Sequence, residues 1–285
     1  MTLKMDLLET DFLKHYLQNA PHLMWFLGAG TSRTAGLPTA TDIIWDLKQR
    51  YYCLNENQDL QSHDINNAAI KQKIQAYMAS KGFPALSSPE EYSFYFDLTF
   101  GNDYEAQQKY IYKTFASERV SLNIGHRVLV ALMDMALARI IFTTNFDNVI
   151  ETAFATVTSK NLSAFHLEGS YAALEALNEE HFPLYAKVHG DFRYQSIKNL
   201  TEDLRSNDNK IQRCFLAAST RYGLVVSGYS GRDGNVMSML KDALDQNNAF
   251  PHGLFWTVPR ISVVEEAVRK LIMYAEPPRL FRRLR

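Results

Sequence analysis

The 285 residues are enough to bury one large core, or a main core and a smaller one, and 46% hydrophobic with 21% charged residues is an ordinary globular composition. Thirty basic against 31 acidic residues leave a formal net charge of -1, so no global field attracts nucleic acid and only a local basic patch is open. Two cysteines, Cys53 and Cys214, exclude a disulfide framework and a four-thiolate zinc site and fit a reducing, cytoplasmic compartment. The opening residues lack the basic-then-apolar order of a secretory signal, and no window approaches about 18 uninterrupted apolar residues, so a soluble chain away from the membrane is expected.

Residues 6 to 19 place Leu7, Leu8, Phe12, Tyr16 and Leu17 on one helical face, ahead of an apolar run from Leu23 to Leu27 short enough for a buried strand. A glycine-rich turn follows, and after Thr41 the residues Ile43, Ile44, Leu47 and Tyr51 recur at helical spacing. From about Cys53 to Val120 the pattern is polar helices: one near 65 to 80, one capped by Ser88 with Pro89 first and Glu91 reaching back, and one near 103 to 117. We read 53–120 as a helical subdomain inserted into a main domain formed by 1–52 and 121–285. Strand candidates then fall at Arg139 to Thr143, Leu184 to Val188, Leu224 to Ser227 and Leu254 to Val258, with helical patterns near 208 to 222, 235 to 246 and 262 to 275. The arginines at the end, Arg279, Arg282, Arg283 and Arg285, read as a solvated tail.

Strands alternating with helices predict an α/β fold: a Rossmann-like, mostly parallel sheet with helices on both faces, an inserted helical subdomain and no zinc module. Ligands of such sheets sit beyond the carboxyl ends of the strands. The polar motifs Thr144 to Asp147, His189 to Asp191 and Gly228 to Asp233 each follow a predicted strand, and with the glycine turn they converge on one edge.

The turn reads Gly28-Ala29-Gly30-Thr31-Ser32 and continues to Leu37-Pro38. Glycines after a buried strand let the backbone approach a pyrophosphate; by itself the pair is equally a tight turn needing positive φ. Of the eight histidines, His189 stands apart, because it follows a strand end at Val188 and Gly190 frees the backbone behind it. An imidazole there can take a proton from a ribose hydroxyl or a water. His126 precedes a helical apolar pattern and is expected to pack or hydrogen-bond, and His15, His22, His63, His166, His181 and His252 have no supporting context. Tyr51, Tyr52, Tyr92, Phe94, Tyr95 and Phe96 lie at helical spacings that suit a core or an assembly interface better than a base-stacking surface.

Taken in order, residues 28–38, Asn123 to His126, Thr143-Thr144-Asn145-Phe146-Asp147, His189-Gly190, and Gly228-Tyr229-Ser230 followed by Arg232 and Asp233 resemble the sirtuins and the wider group of sirtuin-like bacterial proteins. The resemblance runs from residue 23 to about 258, outside the helical insertion. It implies NAD as substrate, with Gly28, Ala29, Gly30, Thr31 and Ser32 at the phosphates, Leu37, Pro38 and Thr144 beside them, and Gly228, Tyr229, Ser230 and Asp233 at the adenosine half. It makes His189 the catalytic base and sets Asn145 and Asp147 around nicotinamide and its ribose. Asp147 either stabilises an oxocarbenium-like ribose or caps the following helix. Arg232 either faces phosphate or pairs with Asp233.

Lysine deacylases of that family usually carry a four-cysteine zinc module and an acyl-lysine groove, and neither is recognisable here. The pattern looks more like the sirtuin-like effector domains of bacterial anti-phage systems, which hydrolyse NAD to nicotinamide and ADP-ribose. That likeness implies a cytoplasmic homo-oligomer needing no metal. It also implies a regulatory partner or further domain, such as an ATP-driven DNA translocase or a short Argonaute protein, with no direct nucleic-acid binding and no membrane. An NAD-dependent deacylase and a non-catalytic sensor of NAD or ADP-ribose are the competing expectations.

Overall fold

A computed structural model describes residues 6–88, 90–115, 120–166, 170–189, 209–259, 264–275 and 280–283. Its centre is an eight-stranded sheet of β1 (Asp6–Leu7), β2 (Leu23–Leu27), β3 (Ile140–Thr143), β4 (Ala164–Phe165), β5 (Leu184–Lys187), β6 (Gly223–Ser227), β7 (Leu254–Pro259) and β8 (Leu280–Arg283). The spatial order is β1-β8-β7-β6-β2-β3-β5-β4, and every pairing is parallel. A parallel sheet is covered on both faces, so its strands are apolar runs: all four residues of β3 and all four of β5 are buried.

Alternation along each strand sends side chains to two layers. Met24, Phe26, Ile140, Phe142, Leu224 and Val226 pack against α9 (Ser170–Asn178), α10 (Asn209–Ser219), α11 (Gly234–Leu244) and α12 (Glu266–Tyr274). On the opposite face, Leu27, Ile141 and Tyr185 meet Val130 and Met133 of α7 (Ile124–Asp134) and Ala153 and Phe154 of α8 (Val149–Thr158). There too, Leu23, Val225 and Phe255 meet Phe12 and Tyr16 of α1 (Glu9–Asn19). A fully buried phenylalanine such as Phe26, Phe142 or Phe215 contributes about 1.5–3 kcal/mol relative to exposure.

The remaining helices are the short α2 (Gly30–Arg33), α3 (Ala40–Glu56), α4 (Ala68–Ser80), α5 (Glu91–Phe100) and α6 (Tyr104–Phe115). Among the described residues no strand interrupts 53–115. This lobe has a core of its own in which Tyr52, Ile74, Met78, Tyr95, Phe96 and Ile111 join Leu37, Ile43 and Leu47. The expected boundary at Cys53 falls inside α3, which starts behind a Thr39/Asp42 capping box and ends where Asn57 turns left-handed. Inside the lobe Lys48 is fully buried against the Glu91 carboxylate, with its ammonium 4.7 Å from the Trp45 ring centre and 4.9 Å from that of Tyr95.

Three expectations need correction. The Ser88/Glu91 capping box does not form: α5 begins at Glu91, whose carboxylate bonds Lys48 and the Ser87 amide, while Pro89 lies outside the described residues. The first helix starts at Glu9, not residue 6, because Asp6 and Leu7 pair with Leu280 and Phe281. That pairing also overturns the solvated tail, since residues 280–283 form β8 between β1 and β7; Arg279 and Arg285 lie outside the described residues.

Candidate functional site

Ser227, Leu27, Thr143 and Lys187 stand side by side in one row across β6, β2, β3 and β5. The chain leaves β2 for β3 on one side and later returns to β6 on the other, so this row lies at the switch point where open α/β sheets hold ligands. Each polar motif begins just past the row, and the first bonds beyond it continue the ladder: Gly28 N to Ser227 O at 2.9 Å, Thr144 N to Leu27 O at 3.1 Å, and Val188 N to Thr143 O at 2.8 Å. The predicted convergence of four segments on one edge is therefore realised.

The glycines are required by a contact between loops. A Cβ on Gly28 would sit 2.5 Å from the Tyr229 Cα, and one on Gly30 would sit 2.8 Å from the Gly228 carbonyl oxygen, which accepts the Gly30 amide at 2.8 Å. Gly228 itself has φ +67 and lies against Thr31 N. The amides of Gly28, Gly30, Thr31 and Ser32 donate to the carbonyls of Ser227, Gly228, Gly28 and Ala29, so the hydrogens expected at phosphate serve the turn itself. Gly30 and Ser230 are exposed and Ala29 and Pro38 half-buried, whereas Leu37 is spent in the lobe core. The Tyr229 ring lies 5.5 Å from Phe26 and 5.8 Å from Trp256, and its hydroxyl donates to the Asp233 carbonyl at 3.3 Å.

Asn145 is 6% exposed and closes over the turn. Its Nδ2 donates to Ser32 Oγ at 3.0 Å and Thr31 Oγ1 at 3.2 Å, and its backbone amide donates to Thr143 Oγ1 at 3.0 Å. Its Oδ1 is buried with no partner among the described residues, a condition that costs about 1–3 kcal/mol and points to a donor supplied from elsewhere. Ser32 in turn bonds the Asp147 carboxylate, which also accepts the amide of Val149, the first residue of α8, at 3.0 Å. Burial pushes the Asp147 carboxyl up from its ordinary range, and Ser32, the Val149 amide and Lys187 pull it back only in part. The Asp147 side chain thus holds the first amide of α8.

His189 places Nε2 3.1 Å from Asp233 Oδ2, with its side chain 13% exposed and its ring centre 6.2 Å from that of Phe146. Asp233 Oδ1 takes the amides of Asn235 and Val236 at the start of α11, at 2.9 and 3.2 Å. Burial alone would raise the Asp233 carboxyl, yet His189 and the two amides outweigh it and hold the group below its ordinary range. Arg232 does not pair with Asp233 and instead binds Glu265 at 2.9 and 3.1 Å and Thr41 at 3.1 Å. His126 hydrogen-bonds as expected, accepting the Asn123 amide on Nδ1 at 3.3 Å and donating from Nε2 to the Thr31 carbonyl at 2.7 Å. Gly190 and Asp191 lie outside the described residues.

Lys187 was not singled out from the sequence. It is fully buried beneath these loops, donating from Nζ to the Asp147 carbonyl at 2.5 Å and pairing with Glu151 at 2.7 Å. A lysine closing the otherwise apolar run Leu184 to Lys187 is the signal that could have found it. Among the described residues no group of three or more His, Cys, Asp or Glu could hold a metal ion, and no helix is long and apolar enough to cross a membrane.

Residues 139–275 match the family model of the SIR2-like domain. That sirtuin-like stretch contains Asn145, Asp147, His189 and the segment from Gly228 to Asp233, whereas the glycine turn at 28–32 precedes it. No curated protein matches the chain. SIR2-like domains bind NAD, and the unclaimed Asn145 Oδ1 at the switch point is an acceptor that suits a water or a ligand bearing a hydroxyl or N–H donor.

Proposed function

We propose that the chain is an NAD glycohydrolase, cleaving NAD to nicotinamide and ADP-ribose. The support is the buried, unclaimed Oδ1 of Asn145 in the same loop cluster as His189. A water or ribose hydroxyl donating to Asn145 Oδ1 is oriented without an added charge. The bond between the ribose C1′ and the nicotinamide nitrogen breaks with its electron pair going to nicotinamide, which leaves neutral. The water oxygen bonds to C1′ and its proton passes to His189. The Oδ1 atom is shielded as the chain stands, so substrate entry has to shift the loops around it. By family analogy alone, the biological setting is a cytoplasmic, homo-oligomeric effector of anti-phage defence held in check by a partner protein or further domain.

The test is incubation of the purified protein with NAD, with and without an acetylated peptide, following nicotinamide by chromatography. Release without peptide is expected, and Asn145→Ala and His189→Ala each abolish it while unfolding as cooperatively as wild type. Release only with peptide assigns a deacylase instead, and absence of release in both arms favours an NAD or ADP-ribose sensor. Well-folded variants with wild-type turnover would refute the residue assignment.

A further inference from the structure

Resting on that hydrolase reading, we infer that Asp233 is the positioning residue of His189, holding the imidazole proton on Nε2 and leaving Nδ1 as the atom that accepts the proton of water. The family resemblance implies Asp233 at the adenosine half, but the two oxygens of its carboxylate are already divided. Oδ1 takes the amides of Asn235 and Val236, and Oδ2 faces His189 Nε2 at 3.1 Å. The cap fixes the carboxylate to the first turn of α11, and that helix is anchored in the sheet core through Val236, Met239 and Leu240. Asp233 is thus a fixed acceptor that the ring must satisfy. An ionised carboxylate only accepts, so Nε2 must donate to it, and in the neutral imidazole Nδ1 is then the sole acceptor. The same division of labour orients the histidine of a Ser-His-Asp triad, where an amide in place of the carboxylate imposes the wrong tautomer.

The test uses Asp233→Asn in the full chain. Asparagine keeps an Oδ1 to cap α11 but presents an NH₂ to Nε2, which forces the imidazole proton onto Nδ1. In ¹⁵N-histidine-labelled protein at mildly alkaline pH, with the His189 signals assigned by their loss in His189→Ala, wild type is expected to show the Nε2–H tautomer and Asp233→Asn the Nδ1–H tautomer. Nicotinamide release should fall about 100-fold or more in kcat. The KM for NAD and the melting temperature should stay close to wild type. An unchanged tautomer in Asp233→Asn overturns the inference, as does an unchanged kcat with a raised KM, the signature of a ribose contact. If wild type releases no nicotinamide the hydrolase reading fails, and the tautomer comparison still decides whether Asp233 sets the ring.

Discussion

Lys187→Met removes an ammonium that ties the end of β5, two residues before His189, to the loop bearing Asp147. In the folded protein that ammonium is fully buried, 2.7 Å from a Glu151 carboxylate that is 11% exposed. At an effective dielectric of about 20, such a pair attracts by about 6 kcal/mol, most of it offset by the cost of taking both charges out of water. The intact pair therefore adds little net stability, while deleting one partner costs about 3–5 kcal/mol because the other keeps its desolvation penalty. The Asp147 carbonyl loses its Lys187 donor as well. For a chain of this size the loss corresponds to a fall in melting temperature of roughly 5–8 °C, read by calorimetry and by urea titration. Adding Glu151→Gln to the methionine variant should restore at least about 1 kcal/mol, because the carboxylate charge is then gone. A single variant that loses under about 1 kcal/mol, or a double variant as unstable as the sum of the singles, would show that the ion pair is not what holds these loops.

Gly28→Ala should cost about 1–3 kcal/mol and abolish NAD binding measured by calorimetry, because its Cβ would meet the Tyr229 backbone at 2.5 Å and push the two loops apart. Asp147→Asn should keep the Oδ1 that accepts the Val149 amide and stabilise the protein at neutral pH. A carboxyl whose folded pKa is raised contributes stability that is full below its unfolded value of about 3.8 and is lost as pH rises through the folded value. The difference in unfolding free energy between variant and wild type should therefore grow from acid to neutral pH, and a flat difference would contradict the burial of that charge.

Five of the strands were legible because a parallel strand buried on both faces is a continuous apolar run, as in Leu23 to Leu27 or Ile140 to Thr143. The short ones were not. Asp6–Leu7 and Ala164–Phe165 offer two residues each, and the arginine-bearing β8 is a strand only because β7 and β1 supply its partners. The helix continuing through Cys53 was hidden for a related reason, since the turn from sheet core to lobe core happens within α3 and leaves no break in its spacing. At the site, Asn145 and His189 could be read from their positions just past predicted strands. The carboxylate that meets His189 could not, because sequence spacing does not say that the first turn of α11 points across the sheet to β5.

The backbone contact between Gly28 and Gly228 makes the loops after β2 and β6 a single welded part, although 200 of the 285 positions separate them. A residue inserted in one loop displaces the other. Any attempt to graft this ligand edge onto another parallel sheet, or to reshape its specificity by library, has to vary both segments together and hold the spacing of their parent strands fixed.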